Sequence, residues 1–301
     1  MRNPFEKAKT WWVRYSDYQW RTAEDGTLYI TPAPGATFTL YDAMEVMEQL
    51  VLDALNVGRQ LMGKAPNEQY KPIIMDFVRK YGLLGMMTAL PTTPKFMDYE
   101  MVYLPKNRFI KEEKLHTEAY LLHFFPFEKP HLKKAGTQYV WNISGDKKLM
   151  ALAATMSSDP LAVMLSFLPE YAERFDWIVT QMKDWMFLVT TCEFFYDPDY
   201  QAMPQAEEQR TLLRQAMSAF SGNAPTYHIA LYNDAPALVW DFHSLMLAIT
   251  LIFSFMLTNK DNPLHLCKNC GKVFMAEKPD MRFCSPLCKS QYQARKKQNK
   301  E

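Results

Sequence analysis

The chain has 301 residues, of which 48% are hydrophobic and 22% charged, and its formal net charge is +1. These values are close to the averages of soluble globular proteins, so they exclude a disordered chain, a collagen and a disulfide scaffold. At roughly 100–200 residues per domain, the length predicts one large domain, or a large domain with a small appendage. The near-neutral total also excludes a protein that coats nucleic acid or anionic membrane with its whole surface.

The first hundred residues predict short strands followed by helices. Two β-prone runs, 27–30 and 37–40, are separated by proline and glycine and predict a hairpin or two edge strands. From Asp42 to residue 57, apolar residues recur every three or four positions, which predicts a helix with Asp42 as its N-cap. A second helix is expected at 70–81, ended by Gly82.

The middle of the chain lacks sustained helical periodicity, and the strands expected there are 99–104, 119–125 and 138–143. Helical spacing then returns. The further helices expected are 161–168, 175–195, 204–220 and 236–257. Residues 1–258 are therefore predicted to form an α+β body that is predominantly helical with a small β component.

No segment predicts membrane insertion or secretion. The start, Met1-Arg2-Asn3-Pro4, has no apolar core of a signal peptide. The longest apolar stretch, 245–257, is about 13 residues long, whereas a bilayer needs roughly 20. We therefore expect a buried helix there and no membrane partner. We expect the compartment to be the cytoplasm, where clustered cysteines more often bind metal than form disulfides.

The body contains no established catalytic motif: it has no phosphate-binding glycine loop, no nucleophile elbow and no HExxH helix. His116, His123 and His131 lie near several glutamates in sequence and would form an acid/base or metal cluster if the fold joined them. We expect ordinary structural histidines instead, and we assign no catalytic residue. Asp241 and His243 lie two positions apart on a predicted helix, so they would not share a face.

Charge is segregated along the chain. Residues 264–301 hold nine basic and three acidic side chains, a net +6, whereas the residues before them hold 25 basic and 30 acidic, a net −5. Such asymmetry predicts an anionic partner for the C-terminal part. We therefore divide the chain into an acidic body, 1–258, which would sense a signal or dimerise, and a C-terminal segment, 259–301.

Four of the five cysteines lie in this segment, and the fifth, Cys192, is expected to be a buried small hydrophobe. The four are spaced C-x2-C and C-x3-C, with thirteen residues between the pairs. Two short thiolate pairs separated by a hairpin-length stretch can close around one tetrahedral zinc ion. An iron–sulfur cluster and a redox dithiol are the alternatives. The predicted zinc ligands are Cys267, Cys270, Cys284 and Cys288.

The residues around these cysteines predict a zinc finger of the treble-clef type. Gly271 allows a tight turn after the first pair, so that backbone N–H groups point at the sulfurs. Ser285 and Pro286 are typical of the N-cap and first position of a helix. Cys288 would then lie in the first turn, where the helix dipole favours a thiolate. One zinc ion held in this way has a structural role and no open position.

The predicted finger helix carries a cationic stripe. At 100° per residue, Lys289, Gln293, Lys296 and Lys300 fall on one face, and Arg295 and Lys297 flank them. Four thiolates and one Zn²⁺ subtract about two charges, so the segment keeps a charge near +4. The stripe predicts contact with the phosphates of DNA or RNA. The alternatives are a solvated helix end, a protein partner, and a finger that only fastens the terminus to the body.

The cysteine motif resembles a known family. Residues 267–274, Cys-Lys-Asn-Cys-Gly-Lys-Val-Phe, and 282–289, Arg-Phe-Cys-Ser-Pro-Leu-Cys-Lys, are similar to the zinc fingers of bacterial ABATE-like proteins with a CGNR finger. Residues 77–85, Phe-Val-Arg-Lys-Tyr-Gly-Leu-Leu-Gly, are similar to a phrase common in proteins of this type. The chain departs from the family at the last cysteine, which Lys289 and Ser290 follow instead of Gly-Asn-Arg. The resemblance implies a transcription regulator.

These observations predict a bacterial zinc-binding regulator whose finger contacts nucleic acid. A second hypothesis is a protein-interaction or defence accessory module with a structural finger, which would bind a protein partner. A third is an enzyme in the body that uses the finger to recruit its substrate. Co-purification with a partner would favour the second hypothesis, and a pocket joining a histidine to carboxylates would favour the third.

Overall fold

The structure is a computed structural model. It describes residues 9–63, 67–105, 107–130, 132–136, 138–141, 160–196, 202–218, 220, 223–232 and 234–298. Helices and small antiparallel sheets together form a mixed α+β architecture.

The strands are short and most pair in twos. They are β1 (Trp11–Tyr15), β2 (Tyr18–Thr22), β3 (Leu28–Pro32), β4 (Phe38–Asp42), β5 (Met101–Tyr103), β6 (Lys114–His116), β7 (Leu132–Ala135), β8 (Gln138–Trp141), β9 (Glu173–Arg174), β10 (Thr226–Tyr232), β11 (Ala235–Asp241), β12 (Leu264–Leu266) and β13 (Val273–Met275). The pairs are β1–β4, β5–β6, β7–β8, β10–β11 and β12–β13, and the three-stranded sheet has the order β2-β3-β9.

The helices vary from single turns to six turns. They are α1 (Met47–Leu61), α2 (Asn67–Tyr81), α3 (Met86–Ala89), α4 (Thr117–Leu122), α5 (Pro160–Leu165), α6 (Phe175–Tyr196), α7 (Ala206–Ser218), α8 (Leu245–Thr258) and α9 (Pro286–Gln298). Short 3₁₀ turns lie at Ala43–Val46 and Phe96–Asp98. In the part of the chain that the structure describes, no helix is both long and apolar enough to cross a membrane.

The chain forms two compact units, each assembled from segments distant in sequence. The first comprises Met1–Met47, Ile74–Ile178 and Asn223–Ile249, and the second comprises Glu48–Ile73, Val179–Gly222 and Thr250–Glu301. The division at residues 258 and 259 was drawn from charge and cysteine spacing, and it stays a prediction about domain organisation.

A buried carboxylate organises the first unit. Glu173 is fully buried, and its two carboxylate oxygens accept the backbone N–H groups of Leu84 and Met86, each at 2.8 Å. The hydroxyl of Tyr171 donates to the same carboxylate at 2.8 Å. Burial raises the pKa of Glu173, while these donors oppose that shift. The turn that follows α2 is therefore held by a side chain from a distant strand.

The two early strands are confirmed, but the hairpin between them is wrong, and of the two only β4 is an edge strand. Strand β3 pairs with β2 and β9, and β4 pairs with β1. The hairpin forms one strand earlier, where Thr27 N–H donates to Asp25 Oδ1 at 2.9 Å and Gly26 has a φ of +84°. The N–H of Ala23 donates to the carbonyl of Thr27 at 2.8 Å, so the loop has three residues and ends in the left-handed Gly26, a common hairpin connection that sets the pairing.

The helix predictions at 42–57, 70–81, 175–195 and 204–220 are confirmed to within a few residues by α1, α2, α6 and α7. Asp42 does cap the first of them, because its Oδ1 accepts Met44 N–H at 3.0 Å where the 3₁₀ turn before α1 begins. Prediction 161–168 corresponds to the shorter α5. The predicted helices agree with the structure where the buried residues recur with a period of 3.6 residues.

The strand expected at 119–125 is wrong, since those residues form most of α4 and the turn that follows it. Thr117, Tyr120, Leu121 and Phe124 are all buried. This is the three-and-four spacing of one helix face, and it outweighs the β propensity of the aromatic residues. The expected strand at 99–104 is confirmed by β5, and 138–143 by β8 as far as residue 141. Residues 142 and 143 lie outside the described part.

The helix expected at 236–257 is also wrong in its first half. Residues up to Asp241 form β11, which pairs antiparallel with β10, and the helix begins only at Leu245. Ser244 caps it, because its Oγ accepts Leu247 N–H at 3.0 Å. A continuous apolar run does not by itself distinguish a strand from a helix, and here a strand and a helix follow each other directly. Asp241 and His243 therefore do not lie on a helix.

Candidate metal centre

The first cysteine pair lies in the turn of a small hairpin in the second unit. Strands β12 and β13 pair antiparallel, with Leu266 opposite Val273, and Cys267 and Cys270 lie between them. Gly271 has a φ of +69°, and its N–H donates to the carbonyl of Cys267 at 2.8 Å. A left-handed residue at this position closes the turn, as the sequence predicts.

The second pair lies at the start of α9. Cys284 precedes the helix, and the Oγ of Ser285 accepts the N–H of Cys288 at 3.2 Å. Ser285 is therefore the N-cap and Pro286 the first helical residue, as expected. Cys288 lies in the first turn, where backbone dipoles favour a negative charge on its sulfur.

The hairpin turn and the helix start bring the four sulfurs together. All four Sγ atoms lie within 4.8 Å of one another. Cys270 Sγ is 3.7 Å from Cys284 Sγ, which is 3.6 Å from Cys288 Sγ. Tetrahedral ligands at the usual Zn–S distance of about 2.3 Å lie about 3.8 Å apart, whereas a disulfide needs about 2.05 Å. The four cysteines are thus positioned to bind one metal ion.

Burial and local hydrogen bonds shift the pKa values of the clustered thiols in opposite directions. Burial raises the pKa of Cys267, but backbone N–H donors, led by that of Cys270, outweigh it and bring the pKa to about 6. Hydrogen bonds from the side chains of Asn269 and Ser285 lower the pKa of Cys288. Burial and the neighbouring thiols raise the pKa of Cys284 to about 12. Some of the four thiols are thus protonated at neutral pH in the absence of a metal, and a bound dication would displace their protons.

Asn269, between the first two cysteines, links both halves of the site. Besides its bond to Cys288, its Nδ2 donates to Gln291 Oε1 at 3.0 Å, and its Oδ1 accepts Arg295 Nη1 at 3.4 Å. The spacing of the cysteines gave no indication of this role. A bridging amide of this kind fixes the start of α9 against the hairpin turn.

A small apolar cluster packs against the cysteines. Cys267, Phe274 and Ala276 are buried, and Met281 and Phe283 pack against them. The ring of Phe283 also lies 5.3 Å from that of Tyr292 on α9. Phe274 and Phe283 therefore form an apolar surface against which the cysteines pack.

Two polar side chains attach the hairpin to helices of the same unit. Asn56 on α1 donates from Nδ2 to the carbonyl of Val273 at 3.1 Å, and its Oδ1 accepts Val273 N–H at 2.9 Å. Glu193 on α6 accepts the N–H of Leu266 at 2.9 Å, and its Oε1 lies 2.6 Å from His265 Nδ1. Sequence reasoning missed all of these residues, because no local pattern marks contacts across 217 and 73 positions.

Two arginines lie close to the hairpin. Arg282 Nη1 is 3.0 Å from Nε2 of the buried His265, so that ring bridges a carboxylate and a guanidinium. Arg59 on α1 approaches Gly271, with Nη1 3.6 Å from where a Cβ on that glycine would lie. The Nε of Arg59 is buried and has no hydrogen-bond partner among the residues that the structure describes. Positive charge therefore lies beside the cysteine turn.

The predicted phosphate contacts lie on the accessible part of α9. Lys289, Arg295 and Lys296 are exposed, and none of the described residues of this helix is buried. Lys300 lies outside the described residues. Leu287, in the first turn, is 65% exposed. Lys297, in the same helix, is exposed as well, so the helix presents four described cations and the apolar side chain of Leu287 to its surroundings.

The histidines of the body do not form a second site within the described residues. His116 is exposed at the start of α4, and the ring of His123 lies 5.7 Å from that of Trp177 at a tilt of 38°. Burial lowers the pKa of His123. His131 lies outside the described residues. Across the described ranges, only the cysteine cluster brings together three or more side chains able to hold a metal ion.

The other candidate residues have structural surroundings. Asp241 Oδ2 lies 2.8 Å from His228 Nδ1 across the β10–β11 hairpin. His243 is buried after β11, and burial lowers its pKa to about 4. Cys192 on α6 is half-buried rather than buried, and its burial raises the pKa of the thiol to about 11. A thiol protonated at neutral pH is a poor nucleophile and a poor metal ligand.

Comparisons with family models, with curated proteins and with solved structures find no match for the chain. The resemblance to ABATE-like proteins with a CGNR finger therefore stays a prediction.

Proposed function

We propose that the chain is a zinc-binding regulatory protein whose finger contacts nucleic acid through α9. The observation that carries this proposal is the position of the basic helix. It begins at the four-cysteine centre, contains one of the four sulfurs, and carries exposed cations along its length. The metal would fix the helix, and the helix would contact the phosphates.

The proposed metal is one structural zinc ion, held by Cys267, Cys270, Cys284 and Cys288. Sulfur separations of 3.6 and 3.7 Å suit tetrahedral thiolate ligation, and four protein ligands leave no open position for chemistry. A cysteine-bearing hairpin turn followed by a ligand-bearing helix is the arrangement of a treble-clef finger, and we assign the segment to that class. The resemblance to the bacterial CGNR-type regulators agrees with this assignment.

Charge supports an anionic partner. Residues 264–301 have a net charge of +6, and a zinc ion with four thiolates would reduce it to about +4. Lys289, Arg295 and Lys296 are exposed on α9, and Lys300 continues the same stripe in sequence. Three or four cations on one helix would neutralise about as many phosphates. We therefore expect modest, salt-sensitive binding to DNA or RNA without sequence readout.

Fluorescence anisotropy with a labelled duplex tests this proposal. Three to four phosphate contacts predict a slope of about −3 in log K against log salt, which is about a 40- to 150-fold loss between 50 and 200 mM salt. Replacing Lys289, Arg295, Lys296 and Lys300 by alanine should weaken binding and flatten the slope. Zinc content should not change in this variant, because none of these residues is a ligand.

A matched control removes charge elsewhere. Lys260, Lys272 and Lys278 are exposed lysines outside α9, and replacing them by alanine should change the slope much less. Nucleic-acid contact through α9 is ruled out if both variants lose affinity equally. It is also ruled out if the zinc-loaded wild type binds neither duplex DNA nor single-stranded RNA at 50 mM salt.

A second candidate function is a protein-interaction or defence accessory module. Leu287 favours it, because an apolar side chain 65% exposed beside the metal centre suits a protein surface better than a phosphate backbone. This function predicts a partner that stays bound after nuclease treatment and is released by Leu287→Lys. The four-alanine variant of the basic stripe would retain that partner.

A further inference from the structure

The β10–β11 hairpin of the first unit presents an uncharged, exposed face. Tyr227, Ile229 and Leu231 alternate along β10 and are 65%, 74% and 75% exposed. Opposite them in register stand Trp240, Leu238 and Pro236 of β11. We call these six side chains the hairpin face.

The two faces of this hairpin differ in chemistry. The side chains between those of the hairpin face, such as His228, Ala230 and Val239, are half-buried. His228 and Asp241 form their 2.8 Å contact there. The hairpin face holds no ionisable group other than the phenol of Tyr227, whose ring lies 5.8 Å from that of Trp240. Alternation along each strand thus places the large apolar residues on the exposed face, whereas the half-buried face holds smaller apolar residues together with polar ones, unlike an ordinary surface hairpin.

An exposed apolar face of this size needs a partner. A fully exposed Leu, Ile or Tyr side chain offers on the order of 120–200 Å². At the observed exposures, with Leu238 at 49%, the four most exposed members present about 400 Å². Isolated apolar residues are normal on protein surfaces, but a contiguous patch of about 400 Å² is comparable to the largest apolar patch of a typical monomer, and such a patch is often functional.

We propose that the hairpin face binds the same face of a second copy of this chain, giving a two-fold symmetric dimer. An uncharged face meets its own copy without charge repulsion, so it is self-complementary as a two-fold interface requires. Two sheets pack face to face with their strands roughly aligned and about 10 Å apart, and β10 and β11 are both seven residues long. A membrane surface is the poorer match, because interfacial elements normally carry Lys or Arg beside their apolar residues.

The area sets the strength of this dimer. Two faces of about 400 Å² bury about 800 Å², and the backbone and the rim of the hairpins bring the interface to about 1,000 Å². This is the lower limit for a specific interface, so the dimer should dissociate on dilution in the micromolar range. A pair of two-stranded hairpins also stabilises each member, because a single hairpin is only marginally stable.

Sedimentation velocity of the zinc-loaded full chain between 1 and 200 µM tests the proposal. We expect the mass to rise with concentration from the 35.2 kDa monomer toward twice that value. Ile229→Lys places a charge in the interface twice, once from each copy, and should raise Kd by on the order of 100-fold. Sodium sulfate should strengthen association of the wild type, because excluded salts favour apolar burial.

The matched control is Leu212→Lys, the same charge change at a residue of α7 that is 61% exposed. It should leave Kd unchanged. Ile229→Thr keeps a β-branched side chain, so the hairpin stays folded, and it should raise Kd by roughly tenfold. Circular dichroism and thermal denaturation verify that each variant is folded.

Three results would overturn the proposal. One is a chain that stays monomeric at 200 µM, and if that monomer floats with uncharged phosphatidylcholine vesicles, the occupant is a lipid surface. Another is a dimer whose Kd is the same for Ile229→Lys as for wild type. The third is an equal loss of association in Ile229→Lys and Leu212→Lys, which would indicate a general effect of charge.

Discussion

Asn56 gives the sharpest test of how the cysteine hairpin is attached. Asn56→Ala removes both hydrogen bonds to Val273, one at 2.9 Å to its N–H and one at 3.1 Å to its carbonyl. Val273 is 0% exposed, so water does not replace the lost partner without opening the contact. A buried polar group left without a partner costs about 1–3 kcal/mol, and we expect a total loss of about 2–4 kcal/mol.

This loss is a large fraction of the 5–15 kcal/mol that typically separates folded from unfolded protein. Urea unfolding of the zinc-loaded chain, followed by far-UV circular dichroism, gives the change in free energy. Amide exchange gives a local measurement, because a loss of 2 kcal/mol should speed exchange at Val273 by about 30-fold.

Two further variants separate the hydrogen bonds from a general effect of helix substitution. Asn56→Asp keeps the acceptor for Val273 N–H and loses the donor to the Val273 carbonyl. Its free energy of unfolding should therefore lie between those of wild type and Asn56→Ala. Gln60→Ala removes an exposed amide one turn further along α1, which donates only to Asn56 O at 3.3 Å, and should cost less than about 0.5 kcal/mol. The reasoning is refuted if Asn56→Ala costs no more than Gln60→Ala.

Two predictions concern the first unit. Glu173→Ala leaves the N–H groups of Leu84 and Met86 without their acceptor, and thermal denaturation should show a loss of about 3 kcal/mol or more in the free energy of unfolding. Glu173→Gln keeps one acceptor oxygen, so its free energy of unfolding should fall by less. Equal losses in the two variants would contradict this account. Burial lowers the pKa of His243 from its ordinary 6.5 to about 4, so the unfolded chain binds a proton that the folded chain does not between those values. Stability should therefore rise by on the order of 3 kcal/mol from pH 4 to 6.5 and stay level above, and His243→Gln should remove that part of the pH dependence. An unchanged pH profile in that variant would assign the dependence to other groups.

The metal centre could be predicted from sequence because its determinants are local. Each cysteine pair, the left-handed turn at Gly271 and the cap at Ser285 depend on fewer than six consecutive residues, and the whole pattern spans 22 residues. Local chemistry of this kind favours a particular backbone geometry whatever the tertiary contacts are.

The attachment of the finger could not be predicted in this way. Asn56 and Glu193 are ordinary polar residues on amphipathic helices, and their partners lie far along the chain. Only the fold shows which polar side chain meets which strand edge. The same limit applies to Glu173, whose charge argued for the surface rather than the core.

The strand errors have a different cause. Residues 119–125 and 236–241 are short apolar runs, in which helix and strand periods are difficult to separate. A turn signal was present for the second run, since Asn233-Asp234 separates two runs of β-prone residues. Asp234 adopts a φ of +61°, as such a turn requires. Giving that turn more weight would have predicted β10 and β11.

The central claim is that the four clustered cysteines bind one zinc ion. Its most direct test is the zinc content per chain, measured by elemental mass spectrometry on the purified wild type, Cys284→Ser and Cys192→Ser. The account predicts one zinc in wild type and in Cys192→Ser, whose half-buried thiol is not a ligand, and a large loss in Cys284→Ser. Zinc retained in Cys284→Ser, or iron in place of zinc in the wild type, would contradict it.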